Sequence, residues 1–468
     1  MIFSVKGIEM KAYREESDSI GTRNIPSDAY YGVQSLRGAE NFHITGRRMH
    51  PRFIEAIVEL KKAAAITNRD VGVYDSRIAN AIIEACDEIL GGKLLDNFII
   101  DAIQGGAGTS ANMNANEVIA NRAIELLGGD KGDYKLVHPN DHVNCGQSTN
   151  DVIPSAGRIA AIRLLKEATA SLIELRDAFL RKAREFENVI KMGRTEMQDA
   201  VPVSFGQVFG AYASAISRDV RRFYLAASEM SVLNMGGTAI GTGINAHPDY
   251  IKGVTANIKA VTGLDVVQAH DLIDATQNLD SFVFVSGIIK SAAVTLSKIA
   301  GDIRIMSSGP RTGFEEINIP PKQNGSSIMP GKINPVMPEV MSQVAFAIIG
   351  NDTAITLSAE AGQLELNAFE PVMFYRLFES LDILRNGIEA FRSECIEGIT
   401  VNANKCHDDV ENSIGIITAL CPHIGYSRSA SIAKRALREG KSIRALILEE
   451  NIMSEDKLNE VLDPMKMI

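Results

Sequence analysis

The sequence predicts a mainly α-helical protein organised around a central bundle of long helices. Three observations carry that expectation. Apolar residues recur at three- and four-residue spacing over several runs far longer than an ordinary helix. Aromatic residues make up only 6% of the chain and tryptophan is absent, whereas Ala, Ile, Leu and Met are plentiful. That mix suits packed helices better than an aromatic-rich sandwich. Finally, polar residues gather in short clusters punctuated by Gly and Pro between the periodic runs, as loops at helix ends would.

Taken in order, residues 11–50 are rich in charge, Gly and Pro, with Gly21-Thr22-Arg23, Pro26-Ser27-Asp28 and Tyr30-Tyr31-Gly32. They read as an irregular entry segment. From Pro51 to Leu90 the spacing of Ile54, Ile57, Val58 and Leu60, then Ala79, Ile82, Ile83 and Cys86, predicts two helices. Gly105 to Ser110 interrupts them, and Asn112, Asn114 and Asn116 lead into another helical run. A second polar cluster covers His138 to His142 and Gln147 to Asp151. The longest amphipathic stretch follows, through Ile162, Leu165, Leu172, Leu175, Phe179, Ala183 and Phe186. A helix of some 30 to 35 residues spans about 45 to 50 Å at ~1.5 Å per residue.

A loop at Gly193 to Asp199 precedes a helix over 204–229, and the glycine-rich Gly236 to Gly243 separates it from later ones. Residues 274–307 read as one long helix through Phe282, Val285, Ile289, Leu296 and Ile303, with further long helices at 337–358 and 371–397. Ala292-Ala293-Val294 and Ala345-Phe346-Ala347-Ile348-Ile349 leave little polar face. Helices of that kind pack on all sides, as in an oligomer core. The expected division is 1–150, a mostly helical N-terminal domain; 151–400, the long-helix bundle; and 401–468, a small helical domain. The chain of 468 residues can bury a large core, and no fixed-period repeat is visible.

The formal charge of −10 argues against a nucleic-acid or anionic-membrane partner. An anionic ligand would need a local positive exception. The five cysteines are odd in number and form no CxxC pair, which fits a reduced, cytoplasmic setting. Met1 to Met10 lacks the basic start and apolar run of a signal peptide, and no uninterrupted apolar run of about 20 residues suggests a membrane span. Gly236 to Gly243 lacks the Gly-Lys-Ser/Thr ending of a phosphate-binding loop, and no strand is evident before it. No metal-ligand spacing stands out.

One stretch carries the chemistry: Gly325-Ser326-Ser327-Ile328-Met329-Pro330-Gly331-Lys332-Ile333-Asn334-Pro335. Two hydroxyls, one ammonium and one carboxamide in a shaped loop suit a small anion held beside a proton acceptor. From the local residues alone, a flexible surface connection remains the alternative. Ser148 and Thr149 directly precede a helix, where free N–H groups and the helix dipole make an anion site. They read equally well as simple N-caps.

Together these polar loops resemble those of the fumarase/aspartase superfamily, and within it the aspartase branch. The 325–335 segment matches the family's signature loop, and the resemblance runs from Tyr30-Tyr31-Gly32 to Asn412-Ser413-Ile414-Gly415-Ile416. Gln147-Ser148-Thr149-Asn150-Asp151 has threonine where fumarases usually have a second serine. Asn334-Pro335-Val336-Met337-Pro338-Glu339 and Glu316-Ile317-Asn318 also point to aspartases. His138-Pro139-Asn140-Asp141 is similar to fumarases, where it contributes to a secondary anion site.

The resemblance implies a three-domain subunit assembled as a homotetramer, with each active site built by loops from three subunits. It implies reversible deamination of L-aspartate to fumarate and ammonia without an organic cofactor; a divalent cation modulates some relatives, but this sequence shows no recognisable metal-ligand set. Ser326 matches the general base. Thr109, Ser148, Thr149 and Ser327 match the groups holding the β-carboxylate and the aci-carboxylate intermediate. Lys332, Asn334 and Thr195 match binders of the α-carboxylate, and Asn150 fits a contact to the ammonium. Closure of 310–335 over the substrate is the family expectation.

Glu196 is a departure, since relatives carry histidine or glutamine there. An anionic side chain repels a dicarboxylate but attracts an ammonium, so Glu196 is expected to select an amino acid over malate, unless it turns away into an ion pair. Glu339 matches a histidine-partnering carboxylate of fumarases or serves a structural salt bridge. The competing functions are a fumarase exchanging water for ammonia and a non-catalytic helical scaffold of the same fold.

Overall fold

The computed structural model describes residues 12–468. The Met1 to Met10 stretch, read above as lacking a signal peptide, lies outside the described residues. Among those described, five helices reach 25 residues or more: Thr149–Glu185, Phe205–Glu229, Asp280–Met306, Val336–Glu360 and Glu370–Glu394. The protein is mainly α, as the periodicity predicts. The chain forms two compact units, and each of the five long helices contributes residues to both.

The first unit runs to Ala168 and adds Arg222–Lys290 and Ile348–Asp382. Its entry segment is not irregular. Tyr13–Asp18 pairs antiparallel with Gly21–Pro26, Asp18 facing Gly21, and the helix Val33–Asn41 follows. The charge that reads as loop-like is internally satisfied. Asp18 accepts from Ile20 N and Gly21 N to close the turn and from the Arg37 guanidinium, while Arg14 donates to the carbonyls of Pro26, Ala29 and Tyr31. The two helices expected after Pro51 are Pro51–Asp70, with Pro at its first turn, and Ser76–Leu90, capped by the Asp75 carboxylate. Their buried faces carry Ile57, Leu60, Ile82 and Ala85 against the helix Thr109–Leu126, which buries Ile119.

Two further expectations change here. The run 274–307 is not one helix: Leu272–Gln277 ends at Asn278, whose backbone is extended and whose amide donates to the Asp274 carboxylate, and Asp280 opens the next helix. A short strand, Val232–Leu233, does precede the glycine-rich Gly236 to Gly243 loop and pairs in parallel with Val267–Gln268. Two-residue strands leave no periodicity to read.

The second unit comprises Thr169–Arg221, Ser291–Ala347 and Ile383–Ile468. The stretch expected as a loop around Gly193 is a β-hairpin, Ile190–Thr195 against Gln198–Ser204. Its alternation is masked because the register shifts between Met192 and Arg194. A Cβ at Gly193 would sit 2.6 Å from the Val201 carbonyl oxygen, so only glycine fits the bulge. The short helices from Ala403 onward bury Val410, Leu420, Ile432, Leu446, Ile447 and Leu458 in a core with Met192 of the hairpin.

Asp280–Met306 and Val336–Glu360 are long and apolar enough to cross a membrane by length and composition, where the sequence reading saw no such run. Each is interrupted by one member of an ion pair, Lys290 to Asp352 at 2.5 Å, with Ser286 donating to the same carboxylate. Both helices leave large apolar side chains exposed: Phe284 and Val294 on one, Phe346 and Leu357 on the other.

Candidate active site

The sequence-predicted residues fall into three constellations, each held by its own local architecture. The first belongs to the first unit and contains Thr109, Ser148, Thr149 and Asn150. Asp151 organises it. Its carboxylate is fully buried and accepts from Ser148 N at 2.9 Å, Gly236 N at 3.2 Å and Thr238 N at 3.0 Å. One side chain thus fastens the helix-opening turn to the glycine-rich loop. Burial raises its pKa to about 6, opposed by those N–H groups and by Lys61.

Pro154 lies inside the helix that begins at Thr149 and has no N–H to give to the carbonyl four residues back. That carbonyl, Asn150 O, accepts instead from Asn234 Nδ2 at 2.9 Å. The Asn150 amide nitrogen donates to Ala239 O at 2.7 Å, which orients its Oδ1 as the remaining acceptor. Thr149 is buried, and its hydroxyl oxygen accepts from Asn112 Nδ2 at 3.2 Å. Behind it, Asn112 also donates to Asn144 Oδ1, as does Lys61 at 2.7 Å, and Lys61 reaches Gln147 Oε1 at 3.0 Å. Burial brings the Lys61 ammonium well below the ordinary lysine value, to about 7. Ser148 Oγ accepts from Asn150 N, the bond of an N-cap, and keeps its own proton to donate outward. Thr109 stands exposed at the start of its helix and donates to Gly106 O.

The second constellation is the tip of the hairpin, Thr195 opposite Gln198 with Glu196 and Met197 between them. Both central residues have positive φ, 53° and 65°, the geometry of a type I′ turn. Neither is Gly or Asn, so the turn stores about 1–2 kcal/mol per residue. Thr195 and Glu196 are exposed, and among the described residues no ion pair engages the Glu196 carboxylate.

The third is the 325–335 loop, which closes on itself. Gly325 N donates to Lys332 O at 2.8 Å, and Asn334 Nδ2 donates to Gly325 O at 2.8 Å. Inside the ring, Ser326 Oγ accepts from Ile328 N at 3.2 Å and Met329 N at 3.0 Å. Ser327 and Lys332 are exposed on its rim. A cavity of about 320 Å³ adjoins the loop, lined by Ser307, Pro310, Glu315, Ile317, Lys332 and Asn334.

A family model described as "Lyase" matches residues 21–350, and one described as "Fumarase C C-terminus" matches 416–468. The aspartate ammonia-lyase of Helicobacter pylori is 52% identical over 457 residues, covering 97% of this chain and 98% of the relative. That of Bacillus subtilis is 49% identical over 457 residues, covering 98% and 96%. The crystal structure of a fumarate lyase from Brucella melitensis, described as delta crystallin bound to cobalt, superposes with a TM-score of 0.95 at 44% identity, covering 97% of this chain and 99% of that one.

The chain belongs to the fumarase/aspartase superfamily of lyases. In this lyase the supporting residues were less visible than the loops they support. Asp151 is the last residue of the polar cluster at 147–151, but beside Ser148 its partners Gly236 and Thr238 lie 85 and 87 positions on, beyond any local pattern. Lys61 had one signal, a cation inside an apolar helical face. Glu339 pairs with Arg304 at 3.5 Å, the structural role weighed for it. Among the described residues, no group of three or more His, Cys, Asp or Glu side chains is arranged to hold a metal.

Proposed function

We infer that this lyase deaminates L-aspartate reversibly to fumarate and ammonia, with Ser326 as the general base. The difficulty of the reaction is electronic. Removing a proton from the carbon beside the β-carboxylate places two negative charges on one aci-carboxylate group, so fixed donors must receive them. A serine is a poor base unless ionised. Two backbone N–H groups already aimed at Ser326 Oγ favour its anionic form, since hydrogen bonds to the charged state stabilise it. That pair of contacts is the main structural support for the assignment.

In this reading Ser326 takes the proton from carbon three. Thr109, Ser148, Thr149 and Ser327 donate to the β-carboxylate and to the charge that develops on it. Lys332, Asn334 and Thr195 hold the α-carboxylate, and Asn150 Oδ1 accepts from the ammonium until the carbon–nitrogen bond breaks. Glu196 favours a cationic amine over a neutral hydroxyl. Closure of the 310–335 region excludes water while the proton moves.

The same reading makes the protein a cytoplasmic homotetramer with active sites shared between subunits, and keeps the three-domain division at 150 and 400. The exposed Phe346 and Leu357, 64% and 61% accessible on a helix otherwise fit for a core, support packing against further copies.

The test is spectrophotometric. Purified protein offered L-aspartate produces the ultraviolet absorbance of fumarate, and offered L-malate it does not; a response to malate alone makes it a fumarase, and silence toward both makes it a scaffold or a lyase for another substrate. Ser326→Ala lowers kcat by about 100- to 10,000-fold, the usual worth of a positioned base. Near-native turnover in that variant places the base elsewhere.

A further inference from the structure

A buried carboxylate outside the predicted site connects two of its parts. Glu316 is fully buried just before the strand Ile317–Asn318, at the root of the segment that leads to Ser326. Its Oε1 accepts from Arg194 Nη1 at 2.5 Å, and its Oε2 pairs with Lys191 Nζ at 3.1 Å. Both cations stand on one hairpin strand, three residues apart. In a regular strand such residues point to opposite faces. The bulge at Gly193 cancels that opposition and brings both to the same carboxylate. The Arg194 guanidinium also lies 4.3 Å from the centre of the Phe314 ring, two residues before Glu316.

The backbone at Glu316 is fixed independently. Its N–H donates to Met306 O at 2.9 Å and its carbonyl accepts from Asn402 N at 2.9 Å, while Asn402 Nδ2 donates to Glu315 O. The carboxylate is therefore a fixed post, and the hairpin is what it holds. Thr195, which immediately follows Arg194, opens the strained turn with Glu196.

We propose that Glu316 is a positioning residue for the lyase reaction, setting through Arg194 where Thr195 and Glu196 meet the α-carboxylate and ammonium of the substrate. The inference rests on the roles assigned above to that turn. Glu316 touches no substrate; it converts an exposed, two-residue tip into a preorganised contact. Because Arg194 directly precedes Thr195, whose assigned partner is the α-carboxylate, a group that neither loses the proton nor departs, losing the post weakens binding more than turnover.

The experiment compares steady-state kinetics of L-aspartate deamination by the full-length oligomer and its variants. Glu316→Gln is expected to raise KM tenfold or more while kcat falls less than threefold, and Glu316→Asp to recover part of the loss. Lys191→Met removes the other cation, at the base of the hairpin, and is expected to change KM less than threefold. If Glu316→Gln does not fold, Arg194→Lys keeps a charge near the carboxylate but loses the planar guanidinium that meets both Glu316 and the Phe314 ring, and is expected to give the same rise. Thr195→Ala separates the two layers. A raised KM in Thr195→Ala with KM within twofold of the parent in Glu316→Gln or Arg194→Lys overturns the positioning role. An unchanged KM in Thr195→Ala overturns the assignment of the turn, and the positioning role with it.

Discussion

Lys61 places a cation where water cannot reach it, and its two contacts show how the protein tolerates it. Asn144 Oδ1 and Gln147 Oε1 are two acceptors, and a neutral amine still has two N–H donors for them. Burial holds its pKa in the folded chain near 7, well below that in the unfolded chain. Above pH 7 the unfolded chain retains a proton that the folded one has released, so stability rises with pH and is lost again as pH falls through 7. Lys61→Met removes that dependence. Denaturant unfolding at pH 7 and pH 9 is expected to show the stability gap between parent and variant widening by about 1–3 kcal/mol in the parent's favour. A constant gap means the amine does not titrate in that range. Glu196 yields a different outcome. With no ion pair among the described residues to absorb its charge, Glu196→Gln is expected to narrow the preference for L-aspartate over L-malate by about tenfold, on the order of one charge–charge contact in water. Relative kcat/KM on the two substrates measures it, and an unchanged ratio removes Glu196 from the specificity determinants.

Among elements, the 325–335 ring depends on how closely its ends approach. A Cβ on Gly325 would lie 2.7 Å from Lys332 O and 2.9 Å from Asn334 N, so Gly325→Ala must part the two ends. Activity is expected to fall about 10- to 100-fold through misplacement of Ser326, with the thermal midpoint nearly unmoved because the segment is largely exposed. A variant of normal activity shows that the ring is not needed. The loop was legible in the sequence because its punctuation is local. So were the long helices, whose period repeats over many turns. The hairpin at 190–204 was not: the bulge at Gly193 breaks its alternation, and its inward residues are Lys191 and Arg194, which read as surface charge until Glu316 is found opposite. The break at Asn278 was hidden for a related reason, since apolar spacing continues across it and only a side-chain bond to Asp274 marks the stop. Thr149 and Asn150 were named from their motif, but what aims them is supplied from distant positions, Asn112, Asn234 and Ala239, whereas Ser326 is held by N–H groups of its own loop.

For the molecule as a whole, the proposed assembly rests on two apolar helices, Asp280–Met306 and Val336–Glu360. Phe346 projects from Val336–Glu360 with 64% of its surface accessible in the single chain. In the proposed tetramer that ring is buried, so Phe346→Asp is expected to yield smaller species by light scattering and to abolish activity together with the shared sites. A variant that remains tetrameric and active shows that this face is not the interface. The net charge of −10 has its own role at this scale. In the proposed site it leaves attraction of a substrate carrying two carboxylates to local groups such as Lys332 rather than to the field of the whole surface.

The bonds that shape the Ser326 ring run from the ring to itself. In the closure proposed above, such a segment swings as a finished cassette, carrying the proposed base with it, and needs no internal reorganisation on arrival. Its tempo is then set by the stretches at either end, so substitutions there can retune how often the enzyme opens without touching the chemistry it performs when shut.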